Sequence, residues 1–118
     1  MKTIDIQAKE WFDRVNGNSY FSATVTVNYK LDDERTIYLP FQYGYGSHYV
    51  DQAARALDEA GLLPGLIHHD NGSTEGISRY CDRRGIILRN SKQEGCRKKE
   101  LITRKEAEQW NSQEQVTK

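Results

Sequence analysis

No run in these 118 residues approaches the roughly 20 consecutive apolar residues needed to cross a bilayer, and the polar opening Met1–Glu10 lacks the apolar stretch of a signal peptide. The chain is therefore expected in the cytoplasm, with no membrane contact. Only two cysteines are present, Cys81 and Cys96; in a reducing compartment they are expected to be free thiols. Net charge is also absent, since the formal value at pH 7 is zero. That excludes the overall basic excess of a general nucleic-acid binder and the acidity of a DNA mimic. His48, His68, His69, Cys81 and Cys96 lack the close ligand pairs of a structural zinc site. No nucleophile and base stand in a recognisable arrangement either, so neither metal, cofactor nor enzymatic activity is expected. There is no internal repeat and no low-complexity stretch.

What is present argues for folding. Hydrophobic residues make up 36% of the chain, a low share, but aromatics reach 10%, and disordered segments are poor in aromatics. The length suits one domain, expected over residues 1–110, with a polar C-terminal tail over 111–118. The charges are unevenly spread: residues 1–77 hold 6 basic against 11 acidic side chains, and residues 78–118 hold 11 against 6. Such a split predicts either two halves that attract one another, within the fold or across a homo-oligomer, or a basic binding face.

The periodicity predicts an α+β fold. Ile4, Ile6 and Ala8 alternate with polar residues, as in a half-buried strand. Asn16-Gly17 carries the residues of a tight hairpin turn with positive φ, and Tyr20–Tyr29 then alternates strictly, with Phe21, Ala23, Val25, Val27 and Tyr29 on one face. After a polar turn, Ile37, Leu39, Phe41 and Tyr43 continue that alternation, with Pro40 marking an edge strand or a bulge. The expected core is an antiparallel meander covered by one main helix from His48 to Ala60, capped by Ser47 and closed by Gly61. Beyond a loop over 66–74, a short helix ends at Gly85. A smaller hairpin through Glu94-Gly95, pairing Ile86–Leu88 with Cys96–Ile102, and a terminal helix from about Arg104 to Trp110 complete the reading. The terminal helix opens on Thr103 and Glu106, which have capping-box spacing.

One loop has unusual composition. Phe41, Gln42, Tyr43, Gly44, Tyr45, Gly46, Ser47, His48 and Tyr49 join a strand to a helix N-terminus. Glycines there allow close approach of a ligand, a helix start favours an anion, and tyrosines can stack on a base or anchor a partner. The plain structural alternative is a sharp turn with aromatics in the core. A dinucleotide fingerprint would need a third glycine and a parallel β-α-β unit, neither of which is expected here. Arg83 and Arg84 lead a basic run from Arg79 to Lys99 that could supply charge to the same surface or serve as solvated cover.

Over roughly residues 1–60, the stretches Lys2-Thr3-Ile4 through Trp11-Phe12, Val15–Ser22 and Pro40-Phe41-Gln42-Tyr43-Gly44-Tyr45-Gly46 resemble a group of small uncharacterised bacteriophage and prophage proteins. The resemblance implies a phage accessory protein that works by binding: an inhibitor of a host or defence protein, or a sponge for a nucleotide signal. It carries no site residues. A nucleic-acid-binding accessory protein is the alternative, suggested by a layout loosely like double-stranded-RNA binders.

Overall fold

The computed structural model describes residues 1–116 and shows a mixed α/β fold built on one four-stranded sheet. Chain order is β1 (Thr3–Asp13), β2 (Asn18–Val27), β3 (Arg35–Tyr43), α1 (His48–Glu59), α2 (Ile77–Arg84), β4 (Ile87–Gln93), a 3₁₀ turn (Lys98–Glu100) and α3 (Arg104–Val116). The spatial order of the strands is β3-β2-β1-β4. Among the described residues no helix is long and apolar enough to cross a membrane.

Strand pairing follows the alternation. Ile4, Ile6 and Ala8 of β1 lie opposite Val27, Val25 and Ala23 of the antiparallel β2, and paired residues share a face. All six are buried in one cluster with Phe21, Leu39, Tyr49, Ala53 and Leu57. Helix α1 ends as its sequence directs. The Leu62 N–H donates to the Leu57 carbonyl at 2.9 Å and the Gly61 N–H to that of Asp58 at 3.0 Å, the paired bonds that close a helix on a left-handed residue.

The turn between β1 and β2 is longer than a two-residue hairpin loop. Of Asn16 and Gly17 only Gly17 has positive φ, at 72°, and its N–H closes back to the Asp13 carbonyl at 2.7 Å. Asn16 instead ties its side chain to Asp13 at 2.8 Å. Ser47, expected to cap α1, makes no side-chain capping bond.

The C-terminal half folds differently from the expectation. Among the described residues no separate hairpin forms there. β4 pairs in parallel with β1, from Thr3↔Ile87 to Lys9↔Gln93, because the free edge of β1 offers a ready-made ladder and α1 and α2 supply the long crossover that a parallel pair requires. Residues 94–103 become a strap across the opposite face of the sheet, with the Ile102 N–H donating to the buried Ser22 hydroxyl at 3.0 Å. Cover is also shared more widely than expected, since α2 adds Ile77, Tyr80 and Cys81 to the core beside α1. Cys81 and Cys96 are buried free thiols.

The capping box of α3 forms in both directions: the Glu106 N–H donates to Thr103 Oγ1 at 3.1 Å and the Thr103 N–H to Glu106 Oε1 at 3.0 Å. The helix does not stop at Trp110. The expected tail is helical from Asn111 to Val116, and its last two positions, 117 and 118, lie outside the described residues. Asn111 explains why the helix continues. Its side chain accepts from the Tyr38 N–H at 2.8 Å and donates to the Tyr38 carbonyl at 3.0 Å, standing in for a neighbouring strand at the open edge of β3.

Candidate functional site

The tyrosine-glycine segment forms a tight corner between β3 and α1. Its shape starts with a bulge. Ala23 pairs with Leu39 but Phe21 with Gln42, so Pro40 and Phe41 together oppose Ser22. The missing N–H of Pro40 suits this irregularity on an edge strand. Its consequence is a change of face. Ile37 and Leu39 look into the core, whereas Phe41 and Tyr43 swing to the side away from α1, where the uninterrupted alternation did not put them.

There they meet two more aromatics. Trp11 stacks on Tyr20 with centroids 5.5 Å apart, and Tyr20 takes Phe41 and Tyr43 edge-on at 6.0 and 6.1 Å. The Lys98 ammonium lies 5.6 Å from the Trp11 ring and 5.9 Å from that of Phe41. Phe41 belongs to the aromatic segment the sequence singles out, whereas Trp11 and Tyr20 do not. Pro40 within an alternating run was the available signal, because a bulge there exchanges the two faces.

Gly44 is buried and wedged. A Cβ at this position would meet the His48 ring at 2.6 Å and the Phe21 ring at 2.7 Å, so a larger residue would force the corner open. The His48 ring packs edge-on to Phe21, centroids 5.9 Å apart, and lies 3.3 Å from the Gln52 side-chain amide. Gly46 has φ of 60°, a left-handed conformation that suits glycine. Its carbonyl accepts from Lys92 Nζ at 3.0 Å. The Lys92 ammonium also bonds Glu10 at 3.0 Å. Burial pulls it down, but the bond to Glu10 and the charges of Glu10 and Glu94 outweigh that and leave it raised and charged.

The seven corner residues divide sharply. Tyr49 is core, 7% exposed, and its hydroxyl lies 3.0 Å from Asn90 Oδ1. His48 is half-buried and Gly44 buried. Tyr43 and Tyr45 are 58% and 69% exposed. With Gly46, Ser47, His48 and Asp51 they line a hollow of about 560 Å³. The Asp51 carboxylate in the first turn already complements the helix dipole and opposes a second anion.

Arg83 and Arg84 are not brought to this corner. They end α2, just before β4 begins beside Thr3, while Gly46 meets Lys92 near the other end of β4; about six residues of strand, roughly 20 Å, separate the two. Both guanidinium groups lie over the Tyr80 ring, at 5.4 and 5.2 Å. Arg83 Nε donates to Glu75 at 3.1 Å and its Nη2 to the Gly65 carbonyl at 2.8 Å. The Arg83 bond holds the Glu75 carboxyl below its ordinary range.

A parallel β-α-β connection does exist, contrary to expectation: β3 and β4 run the same way and are joined through α1 and α2. The third glycine of a dinucleotide fingerprint remains missing from the corner. Among the described residues no cluster of three or more His, Cys, Asp or Glu could hold a metal ion. No protein-family model matches the chain, and neither a curated protein nor a solved structure matches it.

Proposed function

We propose that this chain is a non-enzymatic accessory binding protein of the phage type, acting in the cytoplasm by docking the Tyr43–Ser47 corner onto a host or defence protein. One observation carries the reading: two tyrosines stand more than half exposed on a corner that cannot readily repack, because Gly44 is wedged between Phe21 and His48. Aromatic anchors held in place before contact lose little entropy on binding, and exposed Tyr and Trp side chains supply much of the energy of protein interfaces. The patch continues through Phe41, Tyr20 and Trp11, so the docking area is broader than the loop. Asp51 beside the hollow favours a protein partner over a phosphate at this place.

The test is comparative capture from host-cell lysate with the parent protein and Tyr45→Ala as baits, followed by affinity measurement on whatever the parent retains. Tyr45→Ala is expected to bind at least about fivefold more weakly, a loss above about 1 kcal/mol. Equal affinity would remove the corner from the interface.

A second reading, a nucleic-acid-binding accessory protein, is favoured by Lys98 over Trp11 and Phe41 with Arg97 and Lys99 alongside, since rings flanked by cations suit stacked bases. Under it, binding of a single-stranded oligonucleotide falls steeply with salt.

A further inference from the structure

The sheet face opposite α1 carries a second hollow, separate from the tyrosine corner. Gln7 and Lys9 of β1 lie in register with Thr24 and Ser22 of β2 on one side and with Ser91 and Gln93 of β4 on the other. They therefore form one polar floor. The strap over 94–103 and helix α3 raise the walls. Trp110 stands at one side, its ring edge-on to Tyr38 with centroids 5.1 Å apart. The space enclosed is a cleft of about 450 Å³, within the roughly 300–1,000 Å³ of small-molecule sites.

The floor is notable for what its groups do not do. Among the described residues, the side chains of Gln7, Lys9, Thr24, Ser91 and Gln93 have no hydrogen-bonding or ionic partner in the chain. Two amides and two hydroxyls can each both donate and accept, and Lys9 adds a cation. Glu100 on the rim is engaged by its own 3₁₀ turn, where Oε2 accepts from the Arg97 N–H at 2.6 Å. An apolar guest would leave this floor unpaired, at a cost. A planar ring with donors and acceptors along its edge, a π-face for the indole and an attached anion uses all three features.

We infer that the cleft binds a nucleotide, its base against Trp110, the base edge on Gln7 and its polar neighbours, and a phosphate at Lys9. This site shares no residue with the Tyr43–Ser47 corner and is independent of the partner proposed there.

Isothermal titration of the full chain with AMP, GMP, CMP and UMP, and with the four matching nucleosides, tests the inference. At least one monophosphate is expected to bind, and Gln7→Ala to weaken it about fivefold or more, the fold-change of one lost hydrogen bond. Lys9→Ala should weaken the monophosphate but not its nucleoside, and Tyr45→Ala should leave both unchanged. Gln7 and Lys9 are exposed strand residues, so both variants keep the fold. The inference is overturned if no monophosphate binds at millimolar concentration, or if Gln7→Ala and Lys9→Ala both bind as the parent does.

Discussion

Gly44 gives the corner its shape without touching a partner, because the space where a side chain would begin is filled by Phe21 and His48. Gly44→Ala is expected to destabilise the protein by about 1–3 kcal/mol, the usual cost of overpacking. A melting temperature within a degree of the parent's would show that His48 simply turns aside. Glu75 makes a different kind of demand. Its carboxyl is held below the ordinary range by the Arg83 hydrogen bond, so the folded chain binds that proton less readily than the unfolded chain. The stability it contributes is therefore full above the unfolded value and is lost as pH falls through the lowered folded one. The gap in melting temperature between the parent and Glu75→Gln should be widest near neutral pH and close as pH falls below the ordinary carboxylate range. A gap that does not change with pH would mean that Arg83 is not held through the Glu75 charge. The composition of the corner was legible in the sequence, but the sequence could not divide it. Tyr43, Tyr45 and Tyr49 look alike in the chain, and only the pleat, the bulge and the helix phase send Tyr49 to the core and leave the other two in solvent.

At the scale of elements, several local signals formed as expected, while the Ser47 cap and the two-residue Asn16-Gly17 turn did not. The alternation in β2, the closing bonds after α1 and the capping box of α3 each involve residues close in sequence, and each formed as the residue types dictate. β4 was misassigned because its partner lies 84 residues away, in β1, and no local pattern distinguishes that pairing from a hairpin with Cys96–Ile102. Asn111 is the same problem in miniature: in sequence it is the first residue of a polar tail, and in space it completes the ladder of Tyr38. Asn111→Ala removes both bonds to that edge and is expected to cost about 1–3 kcal/mol in urea denaturation. An unchanged midpoint and slope would make the contact incidental, and the tail reading would then be the better description of how α3 behaves.

Across the whole molecule, part of the split of charge between the two halves acts inward. Arg83 pairs with Glu75, Arg89 with Asp5 and Lys92 with Glu10, in each case a cation from residues 78–118 against a carboxylate from residues 1–77. The expected attraction between halves accounts for these cations, and it removes Arg83 from the binding surface. Lys98 stands beside the aromatic patch, while the cleft of Gln7 and Lys9 is not legible in the sequence, because isolated polar residues on three strands give no pattern until the strands are paired. What remains central is the claim that the Tyr43–Ser47 corner recognises a partner rather than supporting the fold. The direct measurement is the parent against Tyr45→Ala, in paired determinations of melting temperature and of affinity for the protein captured from host lysate. Melting is expected to be unchanged, because the ring is 69% exposed, and affinity to fall at least about fivefold. Lowered melting with affinity intact would contradict the claim and make the corner part of the scaffold.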